Sequence, residues 1–214
     1  MADLIELFDS WALAGRAEGM ERGHSVPARM AFEALRLPPD GSFLDIGCGN
    51  GYAVRWAAAA APRGRALGID AAPLMIERAR DAARGIANAE FLVSAFPAAA
   101  LPAQSFDAIF SMEAFYYFPD LSEALRDVAR LLKPSGRFAC VVDYYAENAA
   151  SHSWPADLGV AMTLLDEAGW AEAFRRAGLR VVAQRRLRTP AGEASSGWKE
   201  SEGSLLTLGD TGLS

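Results

Sequence analysis

The period of the hydrophobic pattern alternates along the chain between about residue 40 and residue 145. Compact apolar runs, typical of buried strands, are separated by stretches in which apolar positions recur every three or four residues, as on one face of a helix. These features predict strands at 43–47, 66–70, 90–95, 106–112 and 137–145, and helices at 52–61, 73–84 and 121–132. Strands that alternate with helices in this way indicate a parallel sheet covered by helices on both faces.

The regions on either side of this core have different patterns. Residues 3–36 have a helical pattern, which Gly23 and Pro27 are expected to interrupt. After residue 155 a helical region is followed by two strand-like runs, 180–187 and 203–209. Because no helical crossover separates these two runs, we expect them to pair as an antiparallel hairpin that closes the sheet.

A glycine-rich turn follows the first predicted strand, and an acidic residue comes shortly before it. The segment FLDIGCGNG places Gly47, Gly49 and Gly51 after Asp45. A turn of this kind lets the backbone approach a ligand closely. Dinucleotide-binding turns carry G-x-G-x-x-G and hold a pyrophosphate, but the third glycine position of that motif is Tyr52 here. A carboxylate at Asp45 would repel a pyrophosphate and attract a ligand that carries an ammonium and a sulfonium, so the turn favours S-adenosylmethionine.

A second acidic residue ends the second predicted strand. Asp70 lies nineteen residues after Gly51, where a carboxylate can accept hydrogen bonds from both hydroxyls of a ribose. NAD and S-adenosylmethionine both contain an adenosine ribose, so Asp70 alone does not discriminate between them. The discrimination comes from Asp45 and from the glycine spacing.

Composition and charge narrow the class of protein further. The chain has a net charge of −6 and a pI near 5.0, which argues against binding to nucleic acid through phosphate neutralisation. Its two cysteines, Cys48 and Cys140, are expected to be free thiols in a reducing compartment. The first ten residues are acidic and unlike a secretory leader, and the longest apolar run is too short for a membrane span. We therefore expect a soluble, cytoplasmic protein without a nucleic-acid partner.

The chain resembles the class I S-adenosylmethionine-dependent methyltransferases, particularly the small-molecule subgroup that includes ubiquinone/menaquinone-biosynthesis-like enzymes. The matching segments, in the family's order and spacing over about residues 40–140, are FLDIGCGNG, GIDAAPLMIERAR, LPAQSFDAIFSMEAFYYFPD and ALRDVARLLKPSGRF. The resemblance implies an α/β, Rossmann-like, doubly wound seven-stranded sheet of order 3-2-1-4-5-7-6 with strand 7 antiparallel. It also implies a single domain, 1–214, made of a helical lid (1–36), a cofactor-binding core (40–145) and C-terminal helices with the closing hairpin (155–214).

The resemblance assigns residues of the core to the cofactor. The glycine turn would lie against the methionine part, Asp45 near its amino group, and Asp70 at the ribose. The remaining positions implied to contact the cofactor are Ala71 and Met75 beside the adenine, Met112 beside the methyl group, and Arg16 of the lid at the carboxylate.

The chain departs from the family at the position of an aspartate that binds the adenine amino group. An ungapped match places Ala95 there, followed by Phe96. Recognition of adenine is therefore expected to rest on backbone groups around Ala95 and Phe96 and on apolar contact, with about one hydrogen bond fewer.

The resemblance places the methyl acceptor next to the end of the fourth strand. The residues expected to contact or activate the acceptor are His24, Glu113, Tyr116 and Tyr117, with Met20 completing the pocket wall. A second set, at the end of the fifth strand, comprises Asp143, Tyr144 and Tyr145. No metal site is expected, because the two cysteines and two histidines are widely scattered.

The expected function is transfer of a methyl group from S-adenosylmethionine to a small molecule by in-line displacement, on oxygen, nitrogen or carbon. Two alternatives belong to other classes. One is a dinucleotide-dependent oxidoreductase, which Asp45 and Tyr52 disfavour. The other is a protein that binds S-adenosylmethionine without transferase activity, as a sensor or inactive partner subunit, which Ala95 favours.

Overall fold

One mixed sheet forms the centre of the computed structural model, which describes residues 2–97, 101–192 and 196–212. Its strands are β1 (Ser42–Ile46), β2 (Arg65–Asp70), β3 (Ala89–Val93), β4 (Phe106–Met112), β5 (Leu132–Val142), β6 (Arg180–Leu187) and β7 (Ser204–Asp210). The spatial order is β3-β2-β1-β4-β5-β7-β6. β1 to β5 pair in parallel, whereas β7 is antiparallel to both β5 and β6. The predicted sheet order and the closing hairpin are confirmed.

Helices cover both faces of this sheet. They are α1 (Ala2–Leu13), α2 (Arg16–Leu35), α3 (Tyr52–Ala60), α4 (Pro73–Ala82), α5 (Leu121–Leu131), α6 (Trp154–Leu158), α7 (Glu167–Arg176) and α8 (Trp198–Ser201), with 3₁₀ turns at Phe115–Tyr117 and Ala149–Ser151. On one face α2, α3 and α4 bury Phe32, Val54 and Ile76. On the other face α5 and α7 bury Leu125 and Phe174. None of the helices in the described ranges combines the length and the apolar character that a bilayer crossing needs.

The N-terminal helical region is interrupted at a different place from the one predicted. The break falls at Gly15, which has a φ of 69°, and α2 then continues through Gly23 and Pro27. Proline in a helix removes the N–H that would bond the carbonyl four residues earlier, here that of Gly23. The Lys199 side chain donates a hydrogen bond to this carbonyl at 2.6 Å, so the expected interruption does not occur.

Two further parts of the chain differ from the prediction. β5 begins at Leu132, five residues before the predicted start at 137, with an irregularity in its pairing to β4. In the C-terminal helical region the stretch 159–166 is not helical. Its backbone bonds to distant loops instead, from Thr163 N to the Tyr116 carbonyl at 2.8 Å and from Ala146 N to the Leu165 carbonyl at 2.9 Å.

α1 and the first half of α2 lie at the carboxyl ends of the parallel strands. α1 packs on α4, and Asp9 of α1 accepts a hydrogen bond from the Leu74 N–H at 2.9 Å. Phe8 meets the ring of Tyr117 edge to face at 5.6 Å. The two helices therefore cover the strand ends from which the sequence-predicted site residues project.

Candidate active site

The carboxylate of Asp70 organises the glycine turn. It accepts hydrogen bonds from the N–H groups of Gly49 and Ala72, both at 2.9 Å. The N–H groups of Gly47 and Cys48 donate to the Ile69 carbonyl at 2.9 and 3.0 Å. The end of β2 thus holds the turn after β1 by three hydrogen bonds, and the fourth, from Ala72, fixes the Asp70 carboxylate itself.

The three glycines of the turn face different surroundings. All have positive φ, at 74° for Gly47, 52° for Gly49 and 75° for Gly51, which favours glycine. A Cβ on Gly47 would lie 2.6 Å from Ala114, and one on Gly51 would lie 2.5 Å from the Phe91 ring. A Cβ on Gly49 would meet no atom within 4 Å. Gly49 therefore borders open space, whereas Gly51 is packed against Phe91 and does not line that space.

The open space is a cavity between the turn and the lid helices, named here the glycine-turn cavity. Its lining includes Phe8, Met20, Glu21, His24, Asp45, Gly47, Gly49, Asp70, Met75, Met112 and Glu113. Among the described residues that line it, four are acidic and none is an arginine or a lysine. Burial, with a further contribution from Asp70, raises the pKa of Asp45 well above its ordinary value. A cation in this cavity would therefore stabilise carboxylates that burial destabilises.

A second cavity, named the β3-side cavity, lies on the other side of Asp70. Its lining includes Leu4, Phe8, Asp70, Ala71, Ala95, Phe96 and Tyr117. Asp70 and Gly47 line both cavities, so one elongated ligand could occupy both and pass the Asp70 carboxylate. Ala71 lies at the β3-side cavity as predicted for an adenine contact, whereas Met75 lines the glycine-turn cavity instead.

A third cavity, named the aromatic cavity, lies under α1, α2 and α6. It is lined by Phe8, Trp11, Arg16, Met20, His24, Glu113, Tyr116, Tyr117, Trp154, Asp157 and Leu158. The structure brings together here all four residues predicted to contact the acceptor. It also places Arg16 here, with its guanidinium 4.4 Å from the centre of the Trp11 ring, and not in the glycine-turn cavity where a cofactor carboxylate was expected. Tyr144 and Tyr145 line none of the three cavities.

The glycine-turn and aromatic cavities meet at four residues common to both, Phe8, Met20, His24 and Glu113. Glu113 follows β4 with a φ of 61°, and its carboxyl accepts hydrogen bonds from the Tyr116 hydroxyl at 2.8 Å and from the Asp143 N–H. Burial and the Asp143 carboxylate raise the pKa of Glu113 well above its ordinary value. Because both of its oxygens are engaged, Glu113 fixes the wall at the junction.

His24 supplies a ring nitrogen at this junction. Burial lowers the pKa of His24 to about 4, against an opposite effect of Asp143 and with a further lowering by Lys199. Its Nε2 atom lies 3.9 Å from Asp143 Oδ2, and the Lys199 ammonium lies 3.4 Å from the same oxygen. The imidazole is therefore neutral at pH 7.

Lys199 was not identified from the sequence, because a single lysine in a polar stretch gives no signal of burial. Tertiary packing leaves only 4% of it exposed. His24, Glu113 and Asp143 also have oxygen and nitrogen atoms within 4.8 Å of one another, a spacing that suits a cation. The Lys199 ammonium supplies a positive charge beside this cluster.

Comparisons with known proteins agree with the site. The family described as "Methyltransferase domain" matches residues 44–140. Nocamycin O-methyltransferase of Saccharothrix syringae is 32% identical over 92% of this chain and 81% of its own length. Aklanonic acid methyltransferase DauC of Streptomyces sp. (strain C5) is 39% identical, over 45% of each chain, so the match spans less than half of that relative. A solved complex that includes the Haloferax volcanii Trm112 methyltransferase activator contains a chain 35% identical to this one, with a TM-score of 0.87, and the match covers 95% of this chain and 97% of that chain.

The fold, the acidic cavity at the glycine turn and the near full-length relatives lead to one family. S-adenosylmethionine, the cofactor of that family, has the cationic sulfur and the ribose for which Asp45 and Asp70 were singled out. The chain belongs to the class I S-adenosylmethionine-dependent methyltransferases.

Proposed function

We propose that the protein methylates a small, partly apolar acceptor on a hydroxyl oxygen, that the acceptor binds in the aromatic cavity, and that His24 accepts its proton. The observation that carries this proposal is the junction of the two cavities at His24 and Glu113. The O-methyltransferase named among the relatives supports oxygen as the acceptor atom. Lining by Trp11, Tyr117 and Trp154 suits a flat, partly apolar molecule.

Each group of residues in the site would have a separate role in methyl transfer. When bound, S-adenosylmethionine supplies a methyl group on a sulfonium, which requires alignment with the acceptor, exclusion of water and removal of the acceptor proton. Asp45 and Asp70 would hold the cationic and ribose parts, and Phe8 and Met20 of the lid would exclude water. Neutral His24 would take the proton on a ring nitrogen.

Substitution of Gly49 tests whether the open space beside it holds the cofactor. In Gly49→Ala the new Cβ would project into the glycine-turn cavity, and overpacking of ~1–3 kcal/mol should weaken S-adenosylhomocysteine binding by about tenfold or more. Gly85→Ala is the matched control, since Gly85 has a φ of 85° and also no atom within 4 Å of a built Cβ. Calorimetry should show a loss of affinity for Gly49→Ala alone; equal affinities of the two variants would place the cofactor elsewhere.

The function itself is tested by transfer of radiolabelled methyl from S-adenosylmethionine to a panel of hydroxylated aromatic and quinol acceptors. We expect product with at least one member and methyl incorporation on oxygen. A protein that binds S-adenosylhomocysteine but transfers no methyl to any member would instead support the alternative of a cofactor-binding protein without transferase activity.

We infer further that a small activator protein can dock along the outer edge of β3. β3 is the outermost strand at its end of the sheet, and its Leu92 and Val93 are 43% and 42% exposed. An open, apolar strand edge is suited to a partner that adds a strand. The similarity to a chain from a complex with the Trm112 activator favours this class of partner.

Size-exclusion chromatography of the protein mixed with purified Haloferax volcanii Trm112 tests this inference. We expect the two proteins to co-elute in size-exclusion chromatography, and a Leu92→Glu/Val93→Glu double variant to elute alone with an unchanged melting temperature. No co-elution of the wild-type protein, or equal co-elution of the variant, would refute β3 as the docking edge.

A further inference from the structure

Lys199 links three parts of the chain that are distant in sequence. It belongs to the short helix α8, and its Nζ atom lies 2.6 Å from the Gly23 carbonyl of α2 and 3.4 Å from Asp143 Oδ2 after β5. Its backbone is fixed as well, because its carbonyl accepts a hydrogen bond from Thr189 N at 2.9 Å. The ammonium therefore connects α8 to α2.

The Gly23 carbonyl is available to Lys199 because of Pro27. An uninterrupted helix would satisfy this carbonyl with the N–H of residue 27, and proline has none. A part-buried carbonyl without a protein donor is less stable than a bonded one, so an external donor stabilises the helix at this point. The next residue along α2 is His24, which means that Lys199 holds the backbone immediately beside the imidazole.

The second partner of the Lys199 ammonium is the Asp143 carboxylate. Its side chain is 1% exposed, and neither carboxylate oxygen accepts a hydrogen bond from the described residues. A buried carboxylate of this kind needs a cation, and among the described residues the Lys199 ammonium is the permanent cation within ion-pair distance. Other titratable groups near His24 are Asp143 and Glu113, with Glu21 in the glycine-turn cavity and Arg16, Tyr116, Tyr117 and Asp157 in the aromatic cavity.

We propose that Lys199 is a positioning residue, whose ammonium fastens the Gly23–His24 step of the lid to Asp143 and holds the uncharged imidazole where the glycine-turn and aromatic cavities meet. Its importance for catalysis rests on the proposed function, in which His24 accepts the acceptor proton. The contact that Lys199 makes with Gly23 and Asp143 can be measured without any methyl transfer. This contact and the proposed role of His24 as proton acceptor can therefore be refuted separately.

Nuclear magnetic resonance can test this role, because the sequence contains only two lysines and two histidines. In Lys199→Met we expect the pKa of His24 to rise from about 4 by roughly one unit or more, since Asp143 remains and its cation is gone. Lys199→Arg should keep the low pKa. Lys133→Met is the matched control: Lys133 pairs with Asp107 at 2.7 Å, away from the site, and its removal should leave His24 unchanged.

Two further readouts accompany the titration. Amide hydrogen exchange in residues 16–26 should accelerate by tenfold or more in Lys199→Met and stay near the wild-type rate in Lys133→Met. If Lys199→Met does not fold, the wild-type protein still tests the proposal. Its ¹⁵N-labelled lysines should give one slowly exchanging ammonium signal, and this signal should persist in Lys133→Met. An unchanged His24 pKa in folded Lys199→Met, or no slowly exchanging ammonium in the wild type, would overturn the proposal.

Discussion

Asp70→Ala should weaken S-adenosylhomocysteine binding by roughly 30-fold to 1,000-fold, which corresponds to ~2–4 kcal/mol for charge-assisted hydrogen bonds lost from a semi-buried site. The Asp70 carboxylate lies where the glycine-turn and β3-side cavities join and already accepts hydrogen bonds from Gly49 and Ala72. Because a carboxylate has about four acceptor positions, it can also bind two ribose hydroxyls. The substitution removes the ribose contact and loosens the turn together.

The control for this variant is Asp107→Ala. The Asp107 carboxylate also accepts a backbone hydrogen bond, from Ser42 N at 2.7 Å. It lies at the amino ends of β1 and β4, whereas the glycine turn follows the carboxyl end of β1. Both variants should lose stability in chemical denaturation, and Asp70→Ala alone should lose cofactor affinity. An Asp70→Ala protein with the wild-type dissociation constant would exclude Asp70 from the cofactor site.

His24→Gln should lower kcat for the identified acceptor by about 10²-fold, the lower end of the usual contribution of a positioned general base, because a pKa of about 4 makes the imidazole a weak base. Glutamine keeps a polar side chain of similar length but cannot take up the proton. The affinity for S-adenosylhomocysteine should change far less than kcat. An unchanged kcat would remove His24 from the reaction.

The low pKa of His24 gives this prediction a pH dependence. Since the pKa in the folded protein is about 4 and the ordinary value is 6.5, the unfolded chain binds the proton first as the pH falls. The free energy of unfolding should therefore decrease from about pH 6.5 to about pH 4, and this part of the decrease should be absent in His24→Gln. Turnover limited by His24 should fall near pH 4 and not near pH 6.5. Denaturation and kcat measured over this range check both statements.

The core was predictable because its signals are local. Alternation of apolar runs predicted the parallel strands, and the spacing of Gly47, Gly49 and Gly51 after Asp45 predicted the turn and the sign of the ligand charge. The positions of His24, Glu113, Tyr116 and Tyr117 around one cavity followed from the resemblance. Their roles in catalysis stay predictions.

The differences arise where distant residues decide local structure. Pro27 is a helix breaker by sequence, but a donor 176 residues from Gly23 offsets the missing N–H and α2 continues. The stretch 159–166 has a helical pattern, but it is not helical and its backbone instead makes hydrogen bonds to the loops after β4 and β5. Arg16 is placed by the Trp11 ring, a partner that spacing along the chain does not reveal.

The most direct measurement of the central claim is calorimetry of the purified protein with S-adenosylhomocysteine and, separately, with NAD⁺. The acidic glycine-turn cavity, which Asp45 and Asp70 line, leads us to expect one site with a dissociation constant in the micromolar range for S-adenosylhomocysteine, and no heat of binding for NAD⁺. Binding of NAD⁺ without binding of S-adenosylhomocysteine would contradict the account.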